Sequence, residues 1–173
     1  MLINAGKDIY FDKNFCDLSI IKSSELFRFK YEEKDWIFKS ISIKKPILNI
    51  AGVAVTDGYY DLESPYGYAG YYINTNDSGF IFRAMESYFK RCKEEKVVAE
   101  YLRFHPFIST QDISETLFDF FEIDRKVVVV DLQQNKESRW ANYSTTTRNI
   151  LRKCIKNDLS FKESDDYELF KSL

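Results

Sequence analysis

A chain of 173 residues that is 45% hydrophobic and 17% aromatic has enough apolar side chain to bury a core of ordinary size, which excludes a mostly disordered polypeptide. Its 25 basic and 27 acidic side chains leave a net charge of −2, so composition gives no ground for DNA as a partner. Three scattered cysteines, Cys16, Cys92 and Cys154, and a single histidine support neither a metal site nor a disulfide framework, and imply a reducing compartment.

The N-terminal stretch MLINAGKDIYFDKNF is charged, without an apolar run of signal-peptide length, and no segment approaches 18 continuous apolar residues. The expectation is a cytoplasmic protein without a membrane span. Leu26–Tyr31 and Trp36–Ile43 flank the polar Glu32–Asp35 and predict a hairpin with an exposed tip, with Gly52–Tyr60 as a further strand. After the polar turn Asn74–Gly79, Ile81, Ala84, Met85, Tyr88 and Cys92 recur at three- and four-residue spacing, the mark of an amphipathic helix. Val97–Phe104 then reads as a strand, which makes a strand, helix, strand crossover unit.

Farther on, the pattern predicts a short helix over Ser114–Phe121 and a strand over Lys126–Leu132, whose four valines place it mid-sheet. Ser144 is positioned to cap a last helix with Ile150, Leu151, Cys154 and Ile155 inward and Arg148, Arg152, Lys153 and Lys156 outward, and Leu159–Lys162 reads as one more strand. Absence of repeats and linkers favours one mixed domain, residues 1–163. Ser164–Leu173 reads as the opening of a further helix that stops without a C-cap signal.

The densest signal is Tyr59–Tyr71, a strand running into a turn rich in Gly, Pro and Tyr. Pro65 fixes one φ, Gly67 and Gly70 admit conformations closed to other residues, and the tyrosines offer flat faces with hydroxyl tips suited to a sugar or peptide-like group. The same residues also make a stiff aromatic plug at the end of a sheet. His105 ends the next strand, where a histidine serves as general base or, more often, as a structural hydrogen-bonding residue. The basic helix face is either solvated surface or a phosphate-binding or domain-docking face. P-loop, GxSxG, HExxH and GxGxxG motifs are all missing.

Three segments carry a family resemblance. Asp61-x-x-Ser64-Pro65-Tyr66-Gly67-Tyr68-x-Gly70 resembles the D-x-x-(S/T)-P-Y-G-Y-G-G segment of bacterial Fem-like proteins, with Ala69 at the first glycine of the closing pair. These proteins are a branch of the GNAT-type acyltransferase superfamily that includes peptidoglycan-bridge aminoacyl transferases. Arg103-Phe104-His105-Pro106 is similar to their R-F-H-P segment, and Arg148 through Leu159 to their R-x-x-I-R-K-A-x-K-x-G segment, with Leu151, Cys154 and Asp158 as departures.

The resemblance spans about residues 25 to 170 but only the first of the family's two GNAT-like domains. It implies an α+β fold with a mainly antiparallel sheet flanked by helices. It further implies transfer of an acyl group from acyl-CoA or aminoacyl-tRNA to an amine of an amino sugar or cell-wall precursor. Asp61, Tyr66, Gly67, Tyr68 and Arg103 would then shape the acceptor side and His105 would be the candidate base, in a cleft completed by a missing second domain. The six glycines offer no (Q/R)-x-x-G-x-(G/A) loop for the donor's phosphates. A chain cut between domains would expose an apolar face and self-associate. A non-catalytic binding module, or a decayed remnant of such an enzyme, is the alternative.

Overall fold

The structure is a computed structural model and describes residues 8–106, 117–124 and 126–172. The chain divides into two compact units, residues 1–124 and 125–173.

The first unit is built on a hairpin. β1 (Glu25–Glu33) and β2 (Trp36–Pro46) pair antiparallel around a turn in which Lys34 takes a φ of 54°, as the flanked polar tip predicts. Gly52–Tyr60, however, is not one strand. Asn49–Ile50 (β3) and Val53–Ala54 (β4) form a small exposed hairpin through Ala51 and Gly52, both with positive φ. A second break at Gly58, φ 67°, then precedes β5 (Tyr60–Glu63). The apolar letters there are spent on a turn-rich excursion rather than on a ladder.

β5 pairs antiparallel with residues Pro46–Ile43 of β2, and β6 (Tyr71–Ile73) with Ser40–Phe38 of the same strand. The two are therefore halves of one strand interrupted by residues 64–70, with Ile41 and Ser42 of β2 falling at the gap. The helix α2 (Ser78–Glu94) follows, its first turn closed by Asp77, whose carboxylate accepts from the Phe80 N–H at 2.7 Å. It buries Phe80, Ala84, Met85, Tyr88 and Cys92, with Ile81 half-buried beside them. This matches the predicted stripe, with Phe80 added.

The helix returns the chain to β7 (Val97–Tyr101), parallel to β5, which completes the crossover unit. Five strands form a mixed, mostly antiparallel sheet in the order β1-β2-β5-β7 with β6 also on β2, so the fold is α+β. Phe27, Phe38, Leu62 and Tyr71 face α2 and make the core. At the tip of the hairpin, Arg83 of α2 holds Glu33 with two hydrogen bonds, 2.8 and 2.5 Å, which keep that carboxyl near 2, well below its ordinary range.

In the second unit three helices are capped as their sequences dictate. Asn135 caps α3 (Lys136–Asn142), Ser144 caps α4 (Thr145–Lys156) and Asp166 caps α5 (Tyr167–Lys171). Its packing departs from expectation. Val127–Val130 lie in no ladder and Val128 is 93% exposed, so the valine run is not the centre of the sheet. Ile150 and Ile155 of α4 are exposed, Leu151 and Cys154 only half-covered, and Leu159–Lys162 form no strand. No described residue of this unit is buried. The predicted Ser114–Phe121 helix lies partly outside the described residues, and 118–121 are not helical.

Candidate functional site

Two backbone events place the candidate residues. The interruption between β5 and β6 releases residues 64–70, and these continue the β5 ladder along the same side of β7 and of the residues that follow it. The Ser64 N–H donates to the Tyr101 carbonyl at 3.0 Å, the Ala69 N–H to that of Arg103 at 2.8 Å, and the His105 N–H to that of Ala69 at 3.2 Å. The Ser64 hydroxyl accepts from the Arg103 N–H at 2.8 Å. The two motif-bearing segments, 61–70 and 103–106, are thus neighbours, joined by a parallel bridge between Ala69 and Phe104.

The second event is a bulge. Tyr60 stands opposite Val97 but Asp61 opposite Ala99, so β7 carries one extra residue and its alternation resets. Val97, Glu100 and Leu102 turn to α2, while Ala99, Tyr101, Arg103 and His105 share the opposite face with Asp61 and Glu63.

On that opposite face the residues separate into two groups. One is closed. His105, 6% exposed, sits with Nε2 3.2 Å from the Asp8 carboxylate and its ring 5.7 Å from Tyr10 and 5.6 Å from Tyr68, and Tyr10 meets Tyr68 edge-on at 5.4 Å. Gly67, with φ of 98°, lies beneath Tyr10 so closely that a Cβ there would fall 2.2 Å from its ring. The segment carrying Asp8 and Tyr10 is a short 3-10 turn (Ile9–Phe11) and α1 (Lys13–Asp17). Asp12 caps α1, the Cys16 thiol donates to the Tyr10 carbonyl, and the Ser19 hydroxyl accepts from the Tyr66 N–H at 3.0 Å.

The other group is open. Tyr66 is 83% and Tyr101 64% exposed, Arg103 and Ala99 are exposed, and Asp61 is half-exposed. Lys45 stands opposite Asp61 in the register but gives its ammonium to Glu63. Neither Asp61 nor Arg103 has a side-chain hydrogen bond or ion pair among the described residues.

Of the predicted acceptor residues, the structure brings Asp61, Tyr66 and Arg103 to the open side and puts Gly67 and Tyr68, with the candidate base His105, under the N-terminal segment. The four basic residues of α4 belong to the second unit. Arg148 is half-buried and donates to the Ala141 carbonyl at 3.3 Å, Arg152 donates to Asn149 at 3.0 Å and lies over the Trp140 ring, and Lys153 and Lys156 are exposed.

A further polar centre lies on the α2 side. Glu100 is part-exposed as a residue, but its carboxylate turns inward and accepts from the Tyr88 hydroxyl at 2.8 Å, the Tyr71 hydroxyl at 2.9 Å and the Ser42 hydroxyl at 3.0 Å. Burial raises its pKa above the ordinary carboxylate value, against the three donors that pull it down. Burial, with the nearby Glu100 charge second, pushes the Cys92 thiol up to about 11, and burial also raises both tyrosines. Nothing in the sequence motifs marks Glu100, Asp8 or Tyr10. The bulge that turns Glu100 inward has no letter code, and Asp8 and Tyr10 act over a span of about a hundred residues.

Among the described residues no group of His, Cys, Asp or Glu is arranged to hold a metal ion, and no helix is long and apolar enough to cross a membrane. No protein-family model, no curated protein and no solved structure matches this chain.

Proposed function

We propose that this chain is the acceptor-binding part of a Fem-like N-acyltransferase of the GNAT superfamily, acting on an amine of an amino sugar or cell-wall precursor. One observation carries the reading: two of the three segments with the family resemblance, 61–70 and 103–106, lie side by side through the Ala69–Phe104 bridge. Their placement leaves Asp61, Tyr66 and Arg103 open to a ligand. The mixed sheet with its parallel crossover strand agrees with a GNAT-like fold.

The reaction needs an amine held against an activated acyl carbon. The amine nitrogen forms the new C–N bond, the thiolate of CoA or the ribose hydroxyl of tRNA leaves, and one proton is removed from nitrogen. Asp61 holds the amine and Arg103 an anionic group of the acceptor. The donor, acyl-CoA or aminoacyl-tRNA, sits chiefly on a second GNAT-like domain, because no phosphate-cradling glycine loop occurs in this sequence. His105 serves as the pin that fixes residues 67–69 against the N-terminal segment.

Calorimetry with acetyl-CoA, a longer acyl-CoA and an aminoacyl-tRNA mimic tests this division. The expected result is no saturable donor binding by the chain alone, with amine-specific acceptor binding that Asp61→Asn removes. Saturable donor binding would overturn the division of labour, and acceptor binding indifferent to Asp61→Asn would overturn the site.

A second reading, a binding module without chemistry, draws on the burial of the one histidine: at 6% exposure, tied to Asp8 and covered by Tyr10, it is poorly placed to take a substrate proton. Turnover by a complex of this chain with a donor-binding domain would dismiss that reading.

A further inference from the structure

Asp61 stands beside Ala99 in the register, and Arg103 follows four residues along β7's course, roughly 13 Å away at the strand rise. Both charges lie on the face opposite α2, too far apart to pair with each other. Ala99, level with Asp61, adds no bulk, and between the two charges lies Tyr101, whose ring is 64% exposed, with Glu63 level with it. Tyr66, 83% exposed, stands at the rim because Ser64 is bonded to both the Tyr101 carbonyl and the Arg103 N–H. Lys45, the cation nearest Asp61 in the ladder, is engaged by Glu63. The face therefore presents a carboxylate, a low step, an aromatic ring and a guanidinium in a row.

We infer that this row is a track for a zwitterionic, extended ligand whose ammonium lies at Asp61, whose anionic group lies at Arg103, and whose body stacks on Tyr101. Asp61, a compact acceptor, suits an ammonium, and the guanidinium fork of Arg103 suits a carboxylate or phosphate. Tyr101 contributes flat apolar area with little rotamer entropy to lose, and Ala99 lets the ligand lie against the backbone. With both side chains reaching inward, the ligand's charged ends stand on the order of 10 Å apart, the span of about three extended residues. The inference adds Tyr101, Ala99 and the anionic end to the acceptor site and rests on the role given above to Asp61.

The probe is the tripeptide Gly-Phe-Gly with free ends, compared with its N-acetylated and C-amidated forms and with the shorter Gly-Phe. Binding to the full chain is followed by amide chemical-shift changes. The free tripeptide is expected to bind about tenfold more tightly than either blocked form or the dipeptide, with shifts centred on residues 61, 99, 101 and 103. Asp61→Asn abolishes the penalty for acetylation and leaves the penalty for amidation, Arg103→Gln does the reverse, and Tyr101→Ala weakens all forms while keeping both preferences.

All three side chains are partly or fully exposed, and an unchanged spectrum of the free variant confirms its fold. Equal binding of free and blocked peptides, binding elsewhere, or no saturable binding at millimolar peptide overturns the track. Charge-selective binding without acyl transfer in the completed enzyme leaves the track standing and removes the acyltransferase reading. Acyl transfer indifferent to the acceptor's anionic end does the opposite.

Discussion

Gly67 is the residue at which the loop and the N-terminal segment depend on each other most directly. Its φ of 98° is strained for any L side chain, and the edge of the Tyr10 ring, itself packed against Phe15, Tyr68 and His105, closes over the space a Cβ would need. Gly67→Ala therefore meets two costs, backbone strain of about 1–3 kcal/mol and an overpacked ring of similar size. Urea unfolding should show a loss of about 3 kcal/mol in total. In a Tyr10→Ala background the same substitution should cost only the backbone part, and equal costs in the two backgrounds would show that the ring is not seated on Gly67.

The thiols make a second test at this scale. Burial pushes Cys16 and Cys92 up to about 11, whereas Cys154 is half-exposed. At pH 8 the two buried groups are thiolate to roughly one part in a thousand and are shielded as well. A disulfide reagent should modify one of the three thiols quickly in the native chain and all three in urea. Three equal native rates would contradict the burial of Cys16 and Cys92.

At the scale of elements, the interrupted strand β5–β6 and the bulge at the start of β7 decide where every polar group points. Without the bulge, alternation from Val97 would turn Ala99, Tyr101 and Arg103 to α2 and Glu100 to solvent. With it, Glu100 enters the core beside Tyr71 and Tyr88. Its raised folded pKa means that the native state holds a proton there that the unfolded chain, titrating near 4.5, has already released. This contribution is fully present below the unfolded value and is lost as pH rises through the folded one.

Urea titrations of the wild type and Glu100→Gln from pH 4 to 8 should therefore differ in slope above about pH 4.5, the wild type losing stability relative to the variant as pH rises. Parallel slopes would mean that the carboxylate titrates normally and is not held inward. The physical reason such features escape a reading of letters is visible here. The stripe of α2 and the caps Ser144 and Asp166 are local, and the 3.6-residue period or a single side chain encodes them. A bulge, or a loop zipped onto a strand 39 residues on, is fixed by tertiary pairing. Hence the motif segments show that Asp61, Tyr66, Gly67, Tyr68 and Arg103 belong near one another but not that Gly67, Tyr68 and His105 lie under Tyr10 while the other three stay open.

On the scale of the whole molecule, the two units differ in kind. Among the described residues, every buried side chain lies at or before residue 124, with Phe27, Phe38, Leu62, Tyr71, Phe80 and Tyr88 at the centre. Residues 126–172 have capped helices but no buried side chain, and Val128, Leu132, Phe161 and Phe170 are each at least 75% exposed. The four valines lie outside the sheet for that reason: a β-branched run states a preference for extended backbone, but a strand becomes the middle of a sheet only when partners pair on both sides.

Helices of 7, 12 and 5 residues are short for independent stability, and caps worth about 1 kcal/mol each do not replace a core. A fragment of residues 1–124 should accordingly unfold in one cooperative urea transition at nearly the midpoint of the full chain. A fragment of residues 125–173 should give weak helical circular dichroism that fades with temperature without a transition. Cooperative melting of the shorter fragment would show that it owns a core, and non-cooperative melting of the longer one would show that the sheet depends on residues beyond 124.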